Sequence, residues 1–422
     1  MVDTQRVKQT MRELAQIGRT DRGMMRLAYS KAEEQATNVL IEQCQAAGLA
    51  VHVDSVGNVT ARRQGRCPEL PAIGIGSHLD TVYEGGTYDG TLGVLAALEV
   101  LRDLNARRIE TIRPIELFSF ACEESARFGF SQIGSKAIAG LIEQKDIAAL
   151  TDKEGTPIQT VFAKRGLDFS KLGEARLPKH RLAAFLEMHI EQGPILEAKN
   201  LSIGVVSGIA APTRFSICVK GHAAHSGSTP MNQRHDALIG AAEITLELEK
   251  EARREMAHGT VATVGDIEIA PGAMNVVPGE THIKVDIRSI SRASKARVVQ
   301  FLYELMEHLR QTRRLDITCR MLSDETPVQM DEALIETVES VCRSKNIASM
   351  RMPSGAGHDT MNMAALCPVG MIFVPSTGGI SHHPDEHTNL SDIITGIDVL
   401  ESAVLECAGN AAEQKAGAVK DQ

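Results

Sequence analysis

Four apolar runs in this chain each stop at a cluster of histidines or carboxylates. "PAIGIGSHLD" ends at His78 and Asp80, "IRPIELFSFACEE" at Glu123 and Glu124, and "AAFLEMHIEQG" at His189. "CPVGMIFVPSTGGISHHP" runs into His382 and His383. Apolar runs of this length, bounded by turn residues, read as buried strands. Helix-period segments lie between them. From about Gly90, for instance, Val94, Ala97, Leu98, Leu101 and Leu104 share one stripe. Strands alternating with helices specify an α/β layer around a mostly parallel sheet. In such sheets ligands bind beyond the carboxyl ends of the strands, which is where each polar cluster falls.

Residues 4–48 are helical in period, with Ala36, Val39, Leu40 and Cys44 on one face and Gly48 as a stop. "AGLAVHVDSVGNVTARRQG" alternates around a Gly-Asn turn and reads as a hairpin. The rhythm changes from about residue 212 to 328. "TRFSICVKG" alternates Phe215, Ile217 and Val219, and a helix follows from about Asp236 to Glu255. Two strands come next, "TVATVGDIEI" and "THIKVDIRSI", the second alternating Ile283, Val285 and Ile287. The helix "SKARVVQFLYELMEHLRQT" and the strand "LDITCRML" complete a β-α-β-β-α-β order, the split pattern of a ferredoxin-like sandwich. The expected organisation is a mixed-sheet α/β catalytic domain, residues 1–211 and 329–422, with an α+β domain inserted at 212–328. There is no internal repeat, and the last dozen residues read as frayed.

Composition narrows the function. The net charge of -9, with Lys and Arg scattered, argues against a nucleic-acid partner. The charged start lacks the apolar core of a secretory signal, and no window approaches the roughly 18 apolar residues of a membrane span. Eight cysteines stand far apart without a CxxC pair and read as free thiols of a reducing cytoplasm. Cys122, beside two glutamates, reads as a small buried residue rather than a reactive one.

The strand-end residues form a coherent donor set: His78, Asp80, Asp89, Glu123, Glu124, His189, His382 and His383. Several histidines with carboxylates and no cysteine suit Zn²⁺, Mn²⁺, Co²⁺ or Ni²⁺. Two ions held close together need a bridging carboxylate, and a further carboxylate to move protons. The Glu123–Glu124 doublet fits that division, and Asp80 is placed to hold the second nitrogen of His78. Each piece also has a plainer reading. His-x-Asp arises by chance, paired glutamates usually face solvent, and "SHHP" makes a turn. Taken alone, the residues leave both readings open.

The stretches "GSHLDTVYEGGTYDGTLGVLAALE", "ACEESARFG", "LEMHIEQGPILE", "GHAAHSGSTPM", "NVVPGE", "SGAGHD" and "GISHHPDE" occur in order across nearly the whole chain. Together they resemble the hydantoinase/carbamoylase amidohydrolases, a branch of the dinuclear M20-type metallopeptidase superfamily. That branch includes N-carbamoyl-L-amino-acid hydrolases, β-ureidopropionases and allantoate amidohydrolases. "HIEQGPILE" is its most specific stretch, because peptidases of the superfamily usually carry a carboxylate where this chain has His189.

The resemblance implies two divalent metal ions (Zn, Mn, Co or Ni) per subunit. Asp89 would bridge them, His78 and His189 would complete one site, and Glu124 and His382 the other. It makes Glu123 the general base and then acid, and Asp80 the residue that orients His78. It assigns oxyanion stabilisation to His225 and the substrate carboxylate to Asn275 and Arg288. Gln192, Gly357 and His358 would complete the pocket. The inserted domain would act as a lid and build a homodimer. Two positions depart from the family pattern: His383, read as a rim residue, and Ser125, where many relatives have Gly. The implied reaction is hydrolysis of the ureido C–N bond of N-carbamoyl-L-amino acids to amino acid, CO2 and ammonia. Allantoate and β-ureidopropionate are the alternatives within the branch. A dipeptidase, or a non-catalytic binding protein on the same scaffold, lies outside it.

Overall fold

The structure, a computed structural model, describes residues 2–409, so the C-terminal dozen expected to fray lies outside the described residues. The chain divides into two compact units. Among the described residues the first comprises 2–207, 330–352 and 358–409, and the second 208–329 and 353–357.

In the first unit the four runs that open the sequence analysis become four adjacent parallel strands. Val369–Val374 pairs with Leu182–Ile190, which pairs with Ala72–His78, which pairs with Ile115–Phe120. Parallel neighbours bring their carboxyl ends to one edge, so the polar clusters converge. Every residue of Ala72–His78, Ile115–Phe120 and Val369–Val374 is buried, which is why these strands show no alternation. The expected hairpin, Ala50–Val53 with Val59–Arg63, adds antiparallel to Ile115–Phe120, and Ile203–Ile209 adds antiparallel to Val369–Val374. The sheet is therefore mixed.

Two helical details differ from the sequence reading. The segment 4–48 is two helices, Thr4–Gln16 and Lys31–Ala46, separated by a small antiparallel pair, Arg19–Thr20 with Gly23–Met24. The helix Thr91–Ala106 buries Leu92, Leu95, Ala96 and Val100 as well as the expected stripe. It lies against the sheet and is also packed by Leu390–Ala408 and Thr4–Gln16, which leaves no wet face over its first turns.

The second unit holds a four-stranded antiparallel sheet in the order Val261–Ala270, Glu280–Ser289, Ala211–Lys220, Asp316–Asp324. With helices Ala237–Arg254 and Arg292–Arg313 this is the β-α-β-β-α-β order read from the sequence. Phe215, Ile217, Val219, Ile283, Val285 and Ile287 pack with Ile244, Leu248, Leu302 and Met306 from the helices. The intervening strand positions, among them Cys218, His282, Asp286 and Arg288, belong to the other face of the sheet. All eight cysteines are free. Among the described residues no helix is long and apolar enough to cross a membrane.

Candidate metal centre

The site is built on turns that leave the four strands. Between Ala72–His78 and Thr91–Ala106 the chain makes a long loop, and a fully buried arginine ties its two ends. Arg26 donates from Nε to the Leu79 carbonyl at 2.6 Å and from Nη2 to Thr91 Oγ1 at 2.6 Å. Its Nη1 donates to the Leu14 carbonyl at 2.9 Å. Burial lowers the Arg26 pKa to about 10, partly offset by Glu33 and Asp80, so the guanidinium stays charged. Three residues that shape the other turns, Cys122, Gln192 and His382, have positive φ (55°, 58° and 55°). Such conformations persist only where the surroundings over-determine them, and they cluster at functional sites.

Asp89 stands at the centre. Its Oδ1 lies 3.1 Å from His189 Nε2 and 3.6 Å from His78 Nε2. Its Oδ2 lies 3.3 Å from His382 Nε2, which is also 3.3 Å from Glu124 Oε1. The carboxylate therefore faces two donor groups at once: His78 with His189, and Glu124 with His382. His78 Nδ1 donates to the Asp80 carbonyl at 2.9 Å, and His189 Nδ1 donates to the Ile190 carbonyl at 2.9 Å. The Gly90 amide donates to His189 Nε2 at 3.1 Å. In the neutral rings Nε2 therefore carries the lone pair, and that lone pair meets a carboxylate oxygen. Such an arrangement calls for a cation between them.

Electrostatics point the same way. Burial opposes charging His78, yet Asp80, Glu123 and Asp89 raise its pKa well above the usual value. His189 is raised, against its burial, by Asp89. His382 is pushed up to about 10 by its bonds to Asp89 and Glu124. Burial first, with Glu124 and Asp80 nearby, lifts Glu123 to about 8 although His78 pulls it down. Divalent cations there would favour the neutral rings and return Glu123 to its ionised form. The donor set of imidazoles and carboxylates fits two such ions.

The neighbours of this set divide the expected roles differently in detail. Asp80 is expected to hold His78, and its carboxylate does lie 3.6 Å from His78 Nδ1 and helps raise that ring's pKa. The same carboxylate also accepts the backbone N–H groups of Glu123 at 3.1 Å and Glu124 at 3.0 Å, and the Asp80 carbonyl takes the hydrogen bond from His78 Nδ1. Glu123 Oε1 accepts from Gln132 Nε2 at 3.1 Å. Gln192 donates from Nε2 to Asp89 Oδ2 at 2.7 Å. His358 is buried, edge-on to His189 with ring centroids 4.5 Å apart, and burial followed by His189 lowers its pKa well below normal. Ser125 is exposed, and Glu124 still reaches His382. His383 is exposed and faces Asp385. Cys122 is buried and its thiol is raised, chiefly by that burial.

Glu386 is the main residue that sequence reasoning passed over. It is buried, accepts the N–H groups of Tyr88 (2.8 Å) and Asp89 (3.0 Å) on Oε1, and takes the Ser381 hydroxyl on Oε2 at 3.2 Å. Its only signal was its place in "GISHHPDE".

The remaining expected residues lie in the second unit. His225 pairs with Val276 across a short ladder, and Ser226 N–H donates to the Asn275 carbonyl at 3.0 Å, so His225 and Asn275 are neighbours. His225 Nδ1 accepts from the amides of Gly227 (3.0 Å) and Ser228 (3.2 Å), which leaves Nε2 as a donor. Arg288 is not with them. It pairs with Pro212 and Val261, while Gly221 and Gly279 mark the end of the sheet nearest His225. Eight residues of strand separate Glu280 from Arg288, or about 25 Å at the usual rise. Arg288 donates from Nε and Nη2 to Asp286, at 3.1 Å each, and from Nη1 to the Gly355 carbonyl at 3.1 Å. Gly357 is exposed.

Residues 74–406 match the model of peptidase family M20/M25/M40. The chain is 36% identical to an N-carbamoyl-L-amino acid amidohydrolase of Geobacillus stearothermophilus, covering 97% of this chain and 99% of the relative. It is 33% identical to the allantoate amidohydrolase of Escherichia coli, covering 96% and 98%. A solved structure of a hydantoinase/carbamoylase family amidase from Burkholderia multivorans superposes with a TM-score of 0.90 at 33% identity, covering 96% of this chain and 98% of that one. With strand ends, donor set and whole-length similarity agreeing, the chain belongs to peptidase family M20/M25/M40, in its hydantoinase/carbamoylase amidohydrolase branch.

Proposed function

We propose that this amidohydrolase cleaves the ureido C–N bond of N-carbamoyl-L-amino acids, releasing the amino acid, CO2 and ammonia. The observation that carries the proposal is the pairing of donors on the two oxygens of Asp89, with Glu123 close by but held by Gln132. His189 in that set, within "HIEQGPILE", favours a ureido substrate over a peptide. Asp89, His78 and His189 would hold one ion, and Asp89, Glu124 and His382 the second. When bound, two divalent ions (zinc, manganese, cobalt or nickel) acidify water and polarise the carbamoyl carbonyl. Glu123 takes the proton of the attacking water and delivers it to the leaving nitrogen. His225 Nε2–H is the donor for the oxyanion. Arg288 forks onto the substrate carboxylate, helped by Asn275, with Gln192, Gly357 and His358 around the pocket.

One copy of the inserted domain places Arg288 and His225 too far apart for both to reach one small substrate. A homodimer formed through that domain, in which the second copy supplies His225 and Asn275, removes the conflict. Eight free thiols suit a cytoplasmic setting.

The test is ammonia release by metal-stripped protein reloaded with each ion in turn. The substrates are N-carbamoyl-L-amino acids, N-carbamoyl-β-alanine and allantoate, with Glu123→Gln as control. Turnover of carbamoyl-L-amino acids that disappears with chelator and in the variant supports the proposal. Turnover of allantoate alone moves the enzyme to that substrate with the same chemistry. Cleavage of dipeptides alone refutes a ureido substrate.

A further inference from the structure

The open face of the second unit's sheet carries a second, different donor set. Cys218 and His282 are direct cross-strand partners on Ala211–Lys220 and Glu280–Ser289, and Glu280 is two residues from His282 on the same face. Cys218 Sγ lies 3.6 Å from Glu280 Oε1 and 3.9 Å from His282 Nε2. His282 Nε2 lies 2.7 Å from the same Glu280 Oε1. Sulfur, nitrogen and oxygen thus form one small triangle.

Two plainer readings account for less of it. A surface His–Glu ion pair leaves the thiol unexplained. A cysteine nucleophile activated by a His–Glu relay needs the two ring nitrogens to face different partners, yet here Nε2 faces both. Three donors aimed at one point suit a cation. With metal bonds of about 2.3 Å to sulfur and 2.0–2.1 Å to nitrogen or oxygen, the edges of a tetrahedral site are about 3.3–3.6 Å. The two edges to sulfur, at 3.6 and 3.9 Å, are already near that size. The His–Glu edge has to open by about 0.6 Å as its hydrogen bond is replaced.

We infer that Cys218, Glu280 and His282 form a binding site for a thiophilic divalent cation of the Zn²⁺ or Co²⁺ kind, separate from the catalytic centre. Three protein donors leave a fourth position for water. Binding converts the Cys218 thiol to a metal thiolate and releases its proton to solvent, so occupancy rises with pH. The surroundings act in both directions. Without a cation, burial and the Glu280 carboxylate raise the Cys218 thiol pKa and oppose the thiolate, while Lys220 and the cross-strand Thr318 hydroxyl favour it. Lys220 Nζ, 3.9 Å from Glu280 Oε2, also competes for that carboxylate.

The catalytic donor set contains no sulfur, which makes the new site separately visible. Metal-stripped full-length protein is titrated with Co²⁺ and followed in the near ultraviolet, where cobalt–thiolate charge transfer absorbs and cobalt bound by His and carboxylate does not. Wild type is expected to develop the band and to bind one more equivalent of cobalt than Cys218→Ser. The band is expected to vanish in Cys218→Ser and to need at least tenfold more cobalt in His282→Asn. Both variants lie on an open sheet face outside the catalytic machinery, so unchanged ureido hydrolysis, or unchanged circular dichroism, confirms that they are folded. No band in wild type overturns the inference. So does a band that survives Cys218→Ser, or one whose cobalt dependence His282→Asn leaves unaltered.

Discussion

Gln132 donates its side-chain amide to Glu123 Oε1 at 3.1 Å, and does so from a left-handed backbone (φ 62°, ψ 37°) at the start of a short helix. Its own carbonyl oxygen accepts from Asn362 Nδ2 at 3.1 Å, and Asn362 also donates to Ser135 Oγ at 2.9 Å. Ser135 in turn bonds Asp359. The proposed base is thus aimed by a chain of neutral groups that reaches across 230 residues of sequence. Gln132→Ala should lower kcat about 10–100-fold, the usual cost of losing a partner of an active-site group, with little change in KM. A pure KM effect in steady-state kinetics would refute this positioning role.

Asp80 offers a sharper division. Its carboxylate accepts the Glu123 and Glu124 amides and stands 3.6 Å from His78 Nδ1, while its carbonyl takes the shorter, 2.9 Å bond from that ring. Asp80→Asn keeps the carbonyl but turns an NH2 group toward an N–H donor. We expect a loss of about 1–3 kcal/mol in stability for the unmade buried bond and a fall in kcat. Metal affinity on the His78 side should be retained. Metal titration by calorimetry together with chemical denaturation checks both. A loss of metal affinity with kcat preserved would show that the carboxylate acts on His78 instead.

These two cases mark what the sequence could and could not tell. Strand ends were legible because a fully buried parallel strand is a mostly apolar run, so a polar cluster at its end is conspicuous. His78 closes its strand, His189 is the last residue but one of its own, and Glu123 and His382 follow Phe120 and Val374 along the loops that leave those strands. The residues that aim them were not conspicuous. Glu386 reaches Asp89 across 297 residues, and no local pattern distinguishes its carboxylate from those on the surface. The fate of the Asp80 carboxylate depended on a turn at Cys122 with positive φ, which hydrophobic periodicity does not report. The separation of Arg288 from His225 needed the strand register, and motif order along the chain carries none.

Gly90 tests how closely the loop is packed. Its φ is +62°, and a Cβ there would overlap the His78 ring. Gly90→Ala adds backbone strain of about 1–2 kcal/mol and displaces a proposed ligand. Bound metal per chain, measured by elemental analysis, should fall well below the wild-type value, and activity with it. Gly265→Ala is the control, because a Cβ there meets nothing within 4 Å and the backbone is not left-handed. Full metal occupancy in Gly90→Ala would mean that His78 is not a ligand or that the loop moves freely.

A buried carboxylate away from the centre makes stability depend on pH. Glu33 accepts from Thr37 Oγ1 at 2.9 Å and pairs with Arg165 Nη2 at 3.0 Å. Burial outweighs both partners and raises its pKa from 4.5 to about 7. The folded chain therefore holds this proton more tightly than the unfolded one, and folding loses stability as pH rises from about 4.5 through about 7. Glu33→Gln keeps acceptor and shape without the charge, so it should gain on wild type over that window. A shift of this size corresponds to at most roughly 3 kcal/mol, and partner rearrangement should leave about 1–2. Urea denaturation of both proteins at about pH 5 and pH 8 measures the difference directly, because groups that titrate alike in the two proteins cancel. A stability difference that stays constant with pH would mean that Arg165 holds Glu33 ionised throughout.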